Sequence, residues 1–362
     1  IQPPRLPAVL NYALAVVLMT QGAADGLLYC AQVLIPSLFP FMVLSSFVVN
    51  SGISAALSRI LSPVTVHLFR LPGSAGVTIL LSMFCGYPVG ARGVRSLLDQ
   101  RLITQQQAAR MLYFTVGAGP AFVVFAVGAS LLHNTATGVI LLIAQVLSQL
   151  TLGFFTRFLC KDRPDTLKQS VPKSRPMPLT NALVTSCGDS TLGILQLCGM
   201  VVLFSALLGI LQSAGGTSLF EKLLTVCGIH SAAASSVLPI LLEVTGGCFA
   251  AIKTGAPVAL LAFAIGWGGI CVHFQIYATL GALKVNRALF TFFRFAQGIL
   301  CAIFTHLIFL IYTPVQTQPV FSNVSAVVPA FSTTVAGSIA LVLLSFCFLF
   351  SYQKQQKKGR NI

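Results

Sequence analysis

Acidic side chains are almost missing from this chain: Asp and Glu together number 7 among 362 residues, against 22 Lys and Arg. Charged residues of both signs make up 8% of the sequence, where a soluble domain carries about 25%, so the chain cannot cover itself for water. Tryptophan occurs once, at Trp267. The 10 cysteines contain no C-x-x-C pair, and several sit inside apolar runs (Cys198, Cys271, Cys301, Cys347). That placement argues for small membrane-embedded hydrophobes and against a disulfide or metal framework. There is no Walker loop, no H-E-x-x-H, no pair of membrane carboxylates and no Ser-His-Asp set in a suitable context. No loop is long enough to hold a soluble catalytic domain. Enzyme activity, a metal and a cofactor are therefore not expected.

What is abundant is apolar length. Hydrophobic residues make up 56% of the chain and mean hydropathy is +0.89. The runs are long rather than short and alternating, so the fold class is an all-α polytopic membrane protein and not a barrel. The formal charge of +15 does not point to nucleic acid, because the basic residues lie in loops and near helix ends. Orientation by the positive-inside rule explains them.

One stretch organises the rest. Thr78 to Arg101, TILLSMFCGYPVGARGVRSLLDQR, starts apolar, breaks at Gly86-Tyr87-Pro88 and soon turns basic. The apolar part is too short to span, since a spanning helix needs about 20 residues. Irregular backbone at membrane depth survives only where protein or a water-filled cavity surrounds it. The spacing predicts a half-helix hairpin that enters the membrane and returns. A second copy follows: residues 79–93 (ILLSMFCGYPVGARG) align without gaps on residues 240–254 (ILLEVTGGCFAAIKT), placing Gly86 on Gly247 and Arg92 on Lys253 at an offset of 161. Broken spans repeat too. Leu102–Leu132 is interrupted at Gly117-Ala118-Gly119-Pro120, and Pro257–Leu283 at Gly266-Trp267-Gly268-Gly269.

The chain divides around these elements. Residues 1–26 form an N-terminal helix, whose apolar core resembles that of a signal peptide but is read as retained. Residues 27–160 form a first repeat, 161–180 a basic Pro-rich linker, 181–313 a second repeat, and 314–362 a last span with a basic tail. Pro36 and Pro40 predict a kink in Leu27–Asn50, and Ile53–Leu71 reads as amphipathic and interfacial. Further spans are expected at Ala136–Leu159, Thr191–Gln212 and Ala288–Tyr312.

Placing the tail in the cytoplasm puts Ser51–Gln107, the linker and the Lys284–Arg294 charges inside, and Ser213–Ala256 outside. This works only if both hairpins re-enter rather than span. The two repeats then have opposite orientation, an inverted duplication of the kind that places a transport site at the midplane.

Glu243 is the foremost candidate for chemistry, the one acidic residue in an expected membrane-embedded element. A carboxylate there marks an ion or solute path, or else an ion pair with Lys253 or Arg92. Gly86, Gly90, Gly117, Gly119, Gly246 and Gly247, with Pro88 and Pro120, mark the breaks, where half-helix ends can bind ions. Tight helix packing through small residues is the plainer alternative for each. Trp267 can stack on a planar ligand or fill space. His273 and Gln275 follow on the same helix, with relay or packing roles. Tyr87, Thr245 and Arg92 complete the candidates. Arg92 equally suits a snorkelling orientation charge.

CGYPVGAR, GAGPAF, LLEVTGG and GWGGICVHFQ together resemble the YlbJ-type sporulation integral membrane proteins, which carry the nucleoside-recognition or Gate domain in two copies. The resemblance spans roughly residues 27–313. It implies a bacterial cytoplasmic-membrane protein of a spore former, built as two Gate-like units. Each unit would hold one re-entrant hairpin and one broken helix. Gly117 stands where that pattern often has Asn, so no side-chain contact is expected from it. Two functions are expected: transport or channelling of a small polar solute through a midplane site, or a non-transporting membrane scaffold for spore formation. The expected partners are the lipid bilayer, a small polar solute or ion, and a second copy of the chain or other sporulation membrane proteins.

Overall fold

Apolar runs punctuated by glycine and proline produce helices of two lengths here, full spans and half-spans. The computed structural model describes residues 8–51, 53–159, 177–281 and 283–312, and every regular element among them is helical. They belong to one compact unit, Ile1–Val315. Most of the linker, the expected last span and the basic tail lie outside the described residues.

Helix α1 (Ala8–Tyr29) runs through a π turn at Cys30–Leu34 into α2 (Ile35–Asn50). No loop separates the two segments expected on either side of residue 27. The π turn sits just before Pro36, whose ring would crowd the carbonyl of Gln32 in a regular α-helix. The chain continues with α3 (Ile53–Phe69), α4 (Ala75–Phe84), α5 (Tyr87–Asp99) and α6 (Gln105–Leu112). A reciprocal capping box opens α6, with Thr104 Oγ1 accepting from Gln107 N and Gln107 Oε1 accepting from Thr104 N. An irregular stretch then leads to a π-helix, Ala121–Leu131, and to α7 (Thr135–Thr156).

After the linker come α8 (Leu179–Ser213), α9 (Gly216–Val226), α10 (Ser231–Leu242), α11 (Val244–Lys253), α12 (Val258–Trp267), α13 (Gly269–Leu280) and α14 (Arg287–Ile311). Helix α8 begins 12 residues before the expected span, at Leu179 rather than Thr191. Its polar first turns are held by small residues against α2, where Asn50 Nδ2 donates to Ser186 Oγ at 3.0 Å. Apolar periodicity does not register such a seam.

Four stretches among the described residues are long and apolar enough to cross a membrane: Thr135–Thr156, Leu179–Ser213, Val258–Leu280 across the α12–α13 break, and Arg287–Ile311. The chain is a multi-pass membrane protein. Helices α4–α5 and α10–α11 pair as hairpins of half-span arms. Gly86 terminates α4 with φ 90°, a left-handed value that glycine adopts freely. The second hairpin turns at Glu243 (φ −151°, ψ 130°), not at Gly246-Gly247. The structural breaks are therefore 157 residues apart, and the ungapped alignment is four residues out of register with them. A helix stops where a cap is available, and Glu243 is a cap, as shown below.

Close backbone approach sets two of the contacts. Gly266 of α12 faces Gly298 of α14, where a Cβ would lie 2.6 Å from the Gly298 Cα. Gly90 of α5 lies against the Thr115 carbonyl and 2.9 Å, at the position of an added Cβ, from Ser82 Cβ. Gly90→Ala is expected to destabilise the protein by about 1–3 kcal/mol. Gly199→Ala, in α8 with open space around it, is expected to be neutral or stabilising by up to about 1 kcal/mol. Thermal unfolding of both in one detergent checks the pair, and equal effects would contradict this packing.

Candidate functional site

A broken helix exposes backbone groups that a continuous one satisfies, and in a membrane interior they need partners from the protein. Helix α12 ends at Trp267, leaving four carbonyls at its C-terminus. Ala264 O accepts from Gly268 N at 2.8 Å. Ile265 O accepts from the Tyr87 hydroxyl at 2.7 Å. Trp267 O accepts from Arg294 Nε at 3.3 Å, and Gly266 O accepts from Arg294 Nη2. All four are satisfied, two of them by one fully buried arginine on α14. Arg294 Nη1 also donates to Val116 O, at the edge of the other break, and to Gln297 Oε1 at 2.6 Å. Its guanidinium lies 5.9 Å from the centre of the Tyr87 ring, within cation–π range.

The same capping recurs at other helix ends. Trp267 Nε1 donates to Leu241 O in the last turn of α10. Arg95 Nη1 donates to Leu280 O at the end of α13. The buried Arg110 donates through Nη2 to Phe69 O and Arg70 O, where α3 ends.

Helix N-termini at the breaks point elsewhere. The first turns of α5 (Gly86, Tyr87, Pro88), the π-helix (Gly119, Phe122) and α11 (Glu243, Thr245) line a single cavity, with Cys271 and Gln275 of α13. Leu34, Leu38 and Met42 from the α1–α2 run and Leu197 and Val201 from α8 form its apolar wall. Four helix N-termini, each carrying about half a positive charge, thus surround one space. Helix α5 has no side-chain cap. Helix α11 has one: Glu243 Oε1 accepts from Thr245 N at 2.8 Å and Oε2 from Gly246 N at 2.6 Å. The cavity volume is about 40 Å³, room for roughly three waters.

The sequence candidates separate on this geometry. Gly86, Tyr87, Pro88, Gly119, Glu243, Thr245 and Gln275 come together at the cavity. Gly246 contributes its N–H to Glu243. Gly247 instead packs against Ile240, across its own hairpin, and Gly90 against the Thr115 carbonyl. Pro120 caps the π-helix, and Gly117 lies against the amides of Gln145 and Gln149. Arg92 is half-buried beside Gly193 of α8. Trp267 is a buried cap whose ring lies tilted against that of His273, with ring centres 4.5 Å apart, and it does not line the cavity. His273 is packed within aromatic rings, and its Nδ1 lies 2.8 Å from Gly269 O. Glu243 makes no ion pair with Lys253 or Arg92; among the described residues the ion pair is Arg95–Asp99.

Arg294 is the residue that sequence reasoning missed. It reads as an orientation charge near a helix end, yet it lies two turns inside α14 with no exposed surface. The signal was present: a charge set within an apolar helix is a functional position by default.

Residues 31–135 match the family model described as Gate, nucleoside recognition. The match takes in the first hairpin and the Gly117–Pro120 break. The chain is 25% identical over 322 residues to the sporulation integral membrane protein YlbJ of Bacillus subtilis (strain 168), an alignment covering 82% of this chain and 78% of that protein. No solved structure matches the chain. The resemblance read from the four motifs holds.

Tyr87→Phe removes the donor to Ile265 O and is expected to cost about 1–3 kcal/mol. Arg294→Lys keeps the charge but cannot reach four acceptors from two helices and a loop, so it is expected to cost more than Tyr87→Phe. Thermal unfolding of the purified variants measures both, and a Tyr87→Phe protein as stable as the parent would sink the capping account.

Proposed function

Starting from a Gate-domain chain similar to a sporulation membrane protein, we propose that it moves a small polar solute across the bacterial cytoplasmic membrane. The solute would pass through the cavity between the two hairpin tips. One observation carries the reading: the N-terminal turns of both hairpins and both broken segments line the same space. The arms α4 and α11 have 10 residues each, or about 15 Å. That is half of the ~30 Å hydrocarbon core, so hairpins entering from opposite faces would meet near the midplane. The two repeats are then inverted, with the C-terminal tail in the cytoplasm.

The cavity has two chemical ends. In the uncapped first turn of α5, Pro88 has no N–H and Val89 N donates to Gly86 O, so the turn offers the Tyr87 N–H to an acceptor or anionic group. Glu243 offers the remaining lone pairs of its carboxylate to a donor or cation. At about 40 Å³, the space is far below the roughly 300–1,000 Å³ of open ligand pockets. The space as it stands is too small for such a solute, so passage needs a hairpin to move. The same narrowness, with both Glu243 oxygens committed to α11, favours the second reading, a membrane scaffold that keeps the fold without transport.

In liposomes, the parent protein is expected to take up at least one solute from a panel of nucleosides, small organic acids and inorganic ions. Glu243→Gln, which keeps one of the two capping acceptors, is expected to lose at least about 10-fold in rate while remaining folded, with a stability loss of about 0.5–2 kcal/mol. Absence of uptake for the whole panel supports the scaffold. Accessibility labelling tests the inversion, because single cysteines at Gln100 and Lys253, both exposed, should react from opposite faces. Labelling from the same face would remove the inverted arrangement.

A further inference from the structure

Two polar residues of α1, Gln21 and Asp25, stand one turn apart on an exposed face. Neither has a hydrogen-bond or ion-pair partner among the described residues. Their depth follows from the packing of α1 on α8. The two helices run antiparallel: a Cβ added at Gly22 would lie 2.5 Å from Ser205 O, one at Gly26 would meet Ser205 Oγ and Val202 Cα, and one at Gly209 would meet Leu18 O. Ser205 is the midpoint of Ser190–Phe220, a stretch without a single charged residue. Asp25, beside Gly26, is therefore level with the middle of the hydrocarbon core.

A carboxylate at that depth faces protein or a water-filled space, not lipid. Asp25 does not line the cavity. The exposed residues around it have the pattern of a helix seam. Val17, Gln21, Ala24 and Leu28 are all exposed and follow one another at intervals of four, three and four, the 3.5-residue repeat of two helices packed along each other. The exposed residues Phe292, Phe295, Ile299 and Ile303 of α14 are, by contrast, uniformly apolar and suit lipid. Ala24 lets a second backbone come close. Gln21 is its own complement, because one amide both donates and accepts.

We propose that α1 pairs with α1 of a second copy of this chain through Val17, Gln21, Ala24 and Leu28. Copies inserted in one membrane share an orientation, so a two-fold axis along the membrane normal sets the helices parallel and Gln21 opposite Gln21. Each Gln21 amide then gives one N–H to the other amide's oxygen and keeps a second for Asp25 of the other copy. A polar residue in such a seam fixes register and the number of helices. The inference does not rest on transport.

The test reconstitutes donor-labelled and acceptor-labelled full chains in liposomes over a range of protein-to-lipid ratios. Energy transfer that saturates, and that excess unlabelled chain removes, is expected. Gln21→Leu should weaken the association at least about 5-fold. Asp25→Leu should weaken it too, although it makes the surface more apolar. Ala24→Trp should weaken it through bulk alone, whereas Ile303→Ala on α14 should leave it unchanged. A benzophenone side chain at Leu28 identifies the occupant, and a two-chain adduct is expected. Adducts to lipid alone, or links within a single chain alone, overturn the pairing, as does energy transfer equal in the parent and the three α1 variants.

Discussion

Backbone carbonyls released inside the membrane are the constraint on which this structure depends. Where α12 stops at Trp267, its last four carbonyls would face an apolar interior, and each lost hydrogen bond there costs several kcal/mol. The chain meets this by cross-capping, with side chains of one element closing the end of another. Tyr87 and Arg294 close α12, Trp267 closes α10 and Arg95 closes α13. Breaks that would otherwise loosen the fold thus become the points where its elements are joined. Arg294 is the centre of this arrangement because its planar fork of five donors can serve two helices and a loop at once.

Carboxyl ends and amino ends of the half-helices are treated differently. The carboxyl ends of α10, α12 and α13 are capped by side chains of other elements, while amino ends surround the cavity together with Cys85 at the end of α4. The electrostatic consequence is a space rimmed with partial positive charge and holding a single carboxylate, Glu243. That carboxylate caps α11 and faces the cavity, so one group joins the local stability of the hairpin tip to whatever occupies the space. Any movement of the second hairpin must carry its Glu243 cap with it or leave the α11 N–H groups bare. This couples the position of the hairpin to the chemistry of the site, which either a transporter or a ligand-sensing scaffold can use.

Much was legible from residues alone. Scarcity of charge and long apolar runs specify a helical membrane protein, because solvation of the surface is a bulk property of composition. The interruptions at Gly86, Gly117–Pro120 and Gly268-Gly269 were visible because glycine and proline act on the backbone locally. The second hairpin shows the limit. Similarity placed its turn at Gly246-Gly247, whereas the helix ends at Glu243, since a capping acceptor outweighs a glycine pair in deciding where a new helix starts. The start of α8 was missed for a related reason: small polar residues such as Ser186 pack seams that hydropathy does not see.

Sequence by itself determined the class of protein, the positions where helices fail, and the unusual status of Glu243. Only the tertiary structure decided which of those failures face one another. The roles of Trp267, His273 and Arg92 as packing or capping residues, and that of Arg294 as the partner of two breaks, depend on contacts between residues as far as 178 positions apart. A carbonyl freed by a break must find a donor somewhere, but the local chain does not state where. That choice belongs to the packing of α5, α12 and α14 around one another.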